Sequence, residues 1–145
     1  MRLGIGRWIL SFVAIGNAAL QWIDDYNGTH IFNPDFTAHA KFHDGITITL
    51  ATALGVLALI YLWWPGYNRE RLLVGALFAG VWWVGAGAAF LFPGASHRDA
   101  EFADDVPHLF GAPIDLRALV PSALVMVATG YWLERRRVGV RPRGV

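Results

Sequence analysis

From Gly45 to Trp64 the chain carries no charged side chain, and the run is closed by Pro65-Gly66, a pair that stops a helix and opens a turn. A stretch of that kind satisfies its backbone hydrogen bonds as an α-helix. At 1.5 Å per residue it can cross a hydrocarbon core of about 30 Å. Three further apolar runs accompany it: about Leu3 to Ile23, Leu72 to Phe92 (stopped by Pro93-Gly94), and about Ala118 to Leu133 before Glu134-Arg135-Arg136-Arg137. A start signal at Pro34-Asp35 or Thr37 extends the second helix backwards, so that His39 and His43 lie on its outer turns. Only 16% of the 145 residues are charged, against about a quarter in a soluble domain. The expected fold is all-α: one up-and-down four-helix bundle integral to a membrane, a single domain over residues 1–145.

A secretory signal peptide is the rival reading of the first run. Arg2 and Arg7 precede its apolar stretch, and Asn17 to Ala19 offers small residues near a cleavage point. The helix is preferred, because the other three runs need a partner for packing. No cysteine is present, which excludes disulfides and thiolate sites, and a net charge of +1 speaks against a nucleic-acid partner.

Arginine placement sets the expected orientation. Arg2, Arg7, Arg69, Arg71, Arg135, Arg136, Arg137, Arg141 and Arg143 fall on one side, whereas the other has only Lys41, Arg98 and Arg117. Both termini are then cytoplasmic and the two long loops periplasmic, extracellular or lumenal. The loop side also collects Asp24, Asp25, Asp35, Asp44, Asp99, Glu101, Asp104, Asp105 and Asp115, with all five histidines: His30, His39, His43, His97 and His108. Ionisable groups beside hydrocarbon face a cavity or one another, so a polar pocket is expected at that mouth.

Helical spacing narrows the candidates. His39 and His43, four residues apart, share one face; Asn17, Gln21 and Asp24 share another, with Asp25 nearby. A carboxyl beside an imidazole can move a proton near neutral pH. Plainer readings stand beside these. The His pair can be a hydrogen-bonded structural pair, Asn17 and Gln21 can bond across to another helix, and the later acids can be a solvated run. Asn27-Gly28-Thr29 also fits a glycosylation acceptor. A His-x-x-x-His face can supply two metal ligands, with Asp24, His30 or His108 completing a site, but Ala40 stands where a metalloprotease places its Glu.

Of seven tryptophans, Trp8, Trp22, Trp63, Trp64 and Trp132 lie near the expected membrane boundaries, where indoles serve as anchors. Trp82 and Trp83 fall near the middle of the third helix. There they either pack against small residues or line a lipophilic pocket, where an indole face can stabilise a cation.

The segment from Asp24 to His43, with Asn27, Thr29-His30, Asn33-Pro34 and His39-Ala40-Lys41-Phe42-His43, resembles the signature of a family of small four-helix membrane proteins. That family's first loop reads roughly Asp-Trp-Asn-x-Thr-His, then Asn-Pro, then His-Ala-Lys/Arg-Phe-His. This chain departs from it at Asp25-Tyr26 and at Asp35-Phe36-Thr37. The resemblance implies architecture and a motif, without a reaction. A weaker likeness, in kind of cavity only, is to membrane bundles of the emopamil-binding, sterol-isomerase type.

The sequence thus leads to cofactor-free acid/base chemistry (isomerisation, cyclisation or epoxide opening) on a lipophilic small molecule. Asp24 or Asp25 paired with His39 or His43 would move the proton, with Asn17, Gln21, His30, Trp82 and Trp83 holding the substrate. Membrane lipid is the other expected partner, and homo-oligomerisation stays open. The alternatives are a noncatalytic lipid-binding or accessory subunit and a histidine-based transition-metal protein. No phosphate-binding glycine loop, nucleophile elbow or dinucleotide fingerprint is present.

Overall fold

Each helix begins where a short polar side chain can satisfy its free N–H groups, α1 excepted. Thr37 accepts from the Ala40 amide at 3.1 Å, Asn68 from that of Arg71 at 2.9 Å, and Asp115 from that of Arg117 at 2.8 Å. The computed structural model, which describes residues 4–98, 100–102, 108–109, 111–113 and 115–138, is an all-α bundle. Its helices are α1 (Ile5–Asp24), α2 (Ala38–Trp63), α3 (Arg69–Ala89) and α4 (Leu116–Val138). Of the two start signals offered for the second helix, Thr37 is the one used. Helix α3 starts before the expected Leu72 because Asn68 caps it, and it ends before Phe92. Helix α4 runs two residues earlier and five later than the apolar stretch. A single 3-10 turn (Ala100–Phe102) and a two-residue antiparallel ladder, His108–Leu109 with Ala112–Pro113, are the other regular elements among the described residues. Leu3, Arg2, Arg141, Arg143, Asp99, Asp104 and Asp105 lie outside the described residues.

Neighbours in sequence are neighbours in space, α1 closes the ring against α4, and α1 and α3 also touch across the short diagonal. Three helices, α2, α3 and α4, are long and apolar enough to cross a membrane. Helix α1 falls short of that measure because it carries Arg7, Ser11, Asn17 and Gln21, all of them buried. Its opposite face is apolar and exposed, with Ile5, Phe12 and Ile23 each about two-thirds accessible. A polar interior behind an apolar exterior inverts the usual soluble amphipathic helix. Such a helix suits a surrounding that cannot hydrogen-bond.

Small residues set the interhelical distance. Ala14, Ala51, Ala58 and Ala79 are fully buried, and Gly55 of α2 meets the α1 backbone directly. Asn17 donates from Nδ2 to the Ala79 carbonyl at 2.9 Å, joining α1 to α3. At the opposite end from the long loops, the Arg7 guanidinium lies 3.7 Å over the Tyr67 ring, and buried Glu134 accepts from the Arg7 amide at 3.3 Å. Burial, and then the Glu134 charge, push the Tyr67 phenol up to about 12 against the opposing pull of Arg7.

A methyl added at Gly55 would strike the Ala14 carbonyl oxygen and sit 2.9 Å from the Ala18 nitrogen, whereas one added at Gly45 meets nothing within 4 Å. Gly55→Ala is therefore expected to cost about 1–3 kcal/mol through overpacking. Gly45→Ala should be neutral or gain up to about 1 kcal/mol through helix propensity. Thermal unfolding of the two variants in one detergent measures the difference.

Candidate functional site

The small-residue stripe of α2 carries a carboxylate at its start. Ile48, Ala51, Gly55, Ala58 and Leu62 are its buried positions, and one turn before Ile48 the same stripe reaches Asp44. Asp44 thereby points inward at the loop end of the bundle. There it lines a cavity of about 540 Å³ between α2 and α3.

The cavity has two chemically distinct walls. Its polar end is made by Gln21 of α1, Asp25 just beyond it, His30 of the first loop, Asp44 and Thr47 of α2, and Ser96 and His97 of the second loop. Leu50 and Leu54 of α2, Val81, Trp82 and Phe90 of α3, and Leu116 of α4 form the apolar remainder. Leu50 and Val81 are about half exposed, so the cavity opens sideways between α2 and α3.

Two lining residues hold a buried polar atom without a hydrogen-bond partner among the described residues: Asp44 through Oδ2 and His97 through Nδ1. Buried polar atoms in folded proteins are nearly always paired, so atoms of this kind on a cavity wall can bond a molecule that enters it, water included. Asp25 sits among like charges. Burial first, and then Asp44 and Asp24, raise its carboxyl from the ordinary 3.8 to about 6, with His30 pulling the other way.

The first loop is folded on itself rather than extended. Asn27 Nδ2 donates to the carbonyls of Ile23 and Asp24, each at 2.8 Å, and Asn27 Oδ1 accepts from the Thr29 amide at 2.8 Å. The Thr29 hydroxyl lies 2.7 Å from Asn27 Oδ1 and 2.7 Å from His30 Nδ1. Buried Asn33 bonds the Thr29 carbonyl at 3.3 Å and Glu101 Oε1 at 3.4 Å, tying the first long loop to the second.

Of the residues singled out by sequence, the cavity brings together Gln21, Asp25, His30 and Trp82. Asp24 ends α1 on the exposed side and stands outside the lining. His39 and His43 share a face as expected, their Nε2 atoms 3.1 Å apart, but that face is exposed. The expected pairing of Asp24 or Asp25 with His39 or His43 is therefore replaced: the imidazoles that share the cavity with Asp25 are His30 and His97. The reason is register. The buried stripe of α2, Ile48, Ala51, Gly55, Ala58 and Leu62, continues back to Asp44, and His43, about 100° round the helix from Asp44, falls with His39 on the exposed side. Trp83 is 3% exposed and packs in the core with Val13 and Ala79, edge-on to Trp82 at 4.9 Å. Asn17 bonds across to the Ala79 carbonyl through Nδ2, while its Oδ1, like Trp83 Nε1, is buried without a hydrogen-bond partner among the described residues. Both therefore take the plainer of the two readings the sequence offered.

Asp44 and His97 were missed as site residues. For Asp44 the signal lay in the spacing of the buried stripe; His97 had none beyond its place in the second loop. His108 stands exposed on the short ladder, away from the lining. No group of three His, Asp or Glu side chains is placed to hold a metal ion among the described residues.

These features define a class: a four-helix bundle, three of whose helices are apolar enough to span a membrane, with an amphipathic cavity under its two long loops. The chain belongs to DUF6640, a family of unknown function, whose model matches residues 9–143. No curated protein and no solved structure matches the chain.

The raised Asp25 carboxyl has a pH consequence. Between about pH 4 and 6 the folded protein keeps a proton that the unfolded chain has released, so the Asp25 contribution to stability falls as pH rises through that window. Denaturant unfolding across pH 3.5–7 should show wild type losing stability relative to Asp25→Asn over that interval, and a parallel course above it.

Proposed function

We propose that this protein is an integral membrane enzyme that performs acid/base chemistry on a lipophilic small molecule taken up between α2 and α3. All four helices cross the bilayer in this reading, with both termini cytoplasmic and the long loops on the opposite side. The observation that carries it is the buried Oδ2 of Asp44, without a hydrogen-bond partner among the described residues, on a cavity wall that also presents Asp25, His30 and Trp82.

The cavity suits an amphiphile. Its apolar wall accepts a hydrocarbon body at about 25 cal/mol per Å² of area removed from water. Its polar end offers carboxylates and imidazoles to a hydroxyl, carbonyl or epoxide. An acid with its pKa near 6 is close to the working range for proton delivery at neutral pH. Asp25 donates, His30 or Asp44 receives, and the Trp82 face stabilises positive charge developing on carbon. Isomerisation, cyclisation and epoxide opening all fit these parts, and none of them requires an organic cofactor.

Isotope incorporation tests the reading whatever the identity of the substrate. Purified protein is incubated with an apolar cell extract in D₂O, or in H₂¹⁸O for epoxide opening, and labelled products are sought by mass spectrometry. A labelled lipophilic product is expected, with its rate reduced about 10²–10⁴-fold in Asp44→Asn and in Asp25→Asn. No label, or label unaffected by either variant, overturns the proposal. Retention of an extract component without labelling moves the reading to a noncatalytic lipid-binding subunit.

A further inference from the structure

The first loop holds a hydrogen-bond chain whose donors and acceptors can be assigned without choice. Asn27 presents one end of its amide to two backbone carbonyls, those of Ile23 and Asp24, and the other end to the Thr29 backbone N–H. Carbonyls only accept and a backbone N–H only donates, so the NH₂ and the oxygen of Asn27 are fixed. Asn27 Oδ1 is an acceptor. The Thr29 hydroxyl lies 2.7 Å from that oxygen, a distance at which two oxygens repel unless a hydrogen lies between them. Only Thr29 can supply it. A hydroxyl has one hydrogen, and it is now spent.

The same hydroxyl oxygen lies 2.7 Å from His30 Nδ1. With its hydrogen committed to Asn27, Thr29 Oγ1 can only accept there, and His30 Nδ1 must carry the proton. We infer that Asn27 and Thr29 are positioning residues that hold neutral His30 in its Nδ1–H tautomer, leaving the Nε2 lone pair as the proton acceptor of the cavity. The chain begins at the carbonyls that end α1, so the ring is anchored to a helix rather than to loop backbone alone. It also meets Phe36 edge-on at 5.5 Å, which limits its rotation about the bond.

The surroundings suit a proton gained at Nε2. Asp24, Asp25 and Asp44 each interact electrostatically with His30, so an imidazolium formed during a reaction is flanked by carboxylates from two helices and their loop. The tautomer gives the Asn27-Gly28-Thr29-His30 stretch a role other than glycan acceptance. It places the imidazole base in the loop rather than on α2.

The inference that His30 acts as a base rests on the proposed acid/base function, but the tautomer does not, and the test separates them. Nitrogen-15 NMR of ¹⁵N-histidine-labelled protein in lipid nanodiscs at pH 8 reads protonation at each ring nitrogen, with the His30 signals identified by their loss in His30→Ala. Wild type should show a protonated Nδ1 and a bare Nε2 at His30. Thr29→Val should convert the ring to the Nε2–H form or a mixture, and Thr29→Ser should restore the wild-type pattern. In the isotope assay Thr29→Val should slow labelling at least tenfold while Thr29→Ser stays within about twofold of wild type. An Nε2–H signal in wild type, or a tautomer unchanged in Thr29→Val, overturns the positioning role. The predicted tautomers with no labelled product in any variant would leave the hydrogen-bond chain standing and remove the catalytic reading alone.

Discussion

The arrangement depends on a constraint carried by α1: its polar side chains have to face other helices. Arg7, Ser11, Asn17 and Gln21 follow one another along a single buried stripe, and each meets a polar or aromatic group from elsewhere in the bundle or lines the cavity. Trp63 of α2 donates to Ser11 at 2.9 Å, Asn17 reaches α3, and the Arg7 amide reaches Glu134 of α4. Helix α1 touches all three others, and it carries its polar groups on the side where they lie. In hydrocarbon each such bond contributes about 1 kcal/mol. Exposing the same groups to lipid would cost several times more.

At its loop end this stripe reaches the cavity. Gln21, with Asp25 just beyond α1, lines it together with Asp44 and Thr47 of α2, and Trp82, Leu54 and Phe90 are among its other walls. The polar residues of α1 thus form one series: Arg7, Ser11 and Asn17 bond to other helices, and Gln21 lines the cavity.

Much of this architecture was legible because its causes are local. The uncharged run after Gly45, the Pro65-Gly66 stop and the Thr37 cap each act within a few residues of where they stand, and the helices formed where they indicated. The site was legible only in part. His39 and His43 form the most conspicuous pattern in the sequence, and their geometry is as expected, yet spacing along a helix says which residues share a face and not which face turns inward. That choice was made by Ala51, Gly55 and Ala58, whose small side chains allow α2 to approach α1, and it carries Asp44 inward and the His pair out. Trp83 and Asn17 were ambiguous for a different reason. Their environment is set by α1 and α3 meeting across the diagonal, a contact between segments far apart in sequence.

The central claim is that the space between α2 and α3 is a binding site, with a polar end at Asp44 and an apolar exit past Leu50 and Val81. A structure of the protein purified in native lipid addresses it most directly. The account predicts elongated non-protein density that reaches Asp44 Oδ2 at one end and runs along Trp82 towards the gap between α2 and α3. Side chains filling that volume, with Asp44 hydrogen-bonded within the protein, would contradict it.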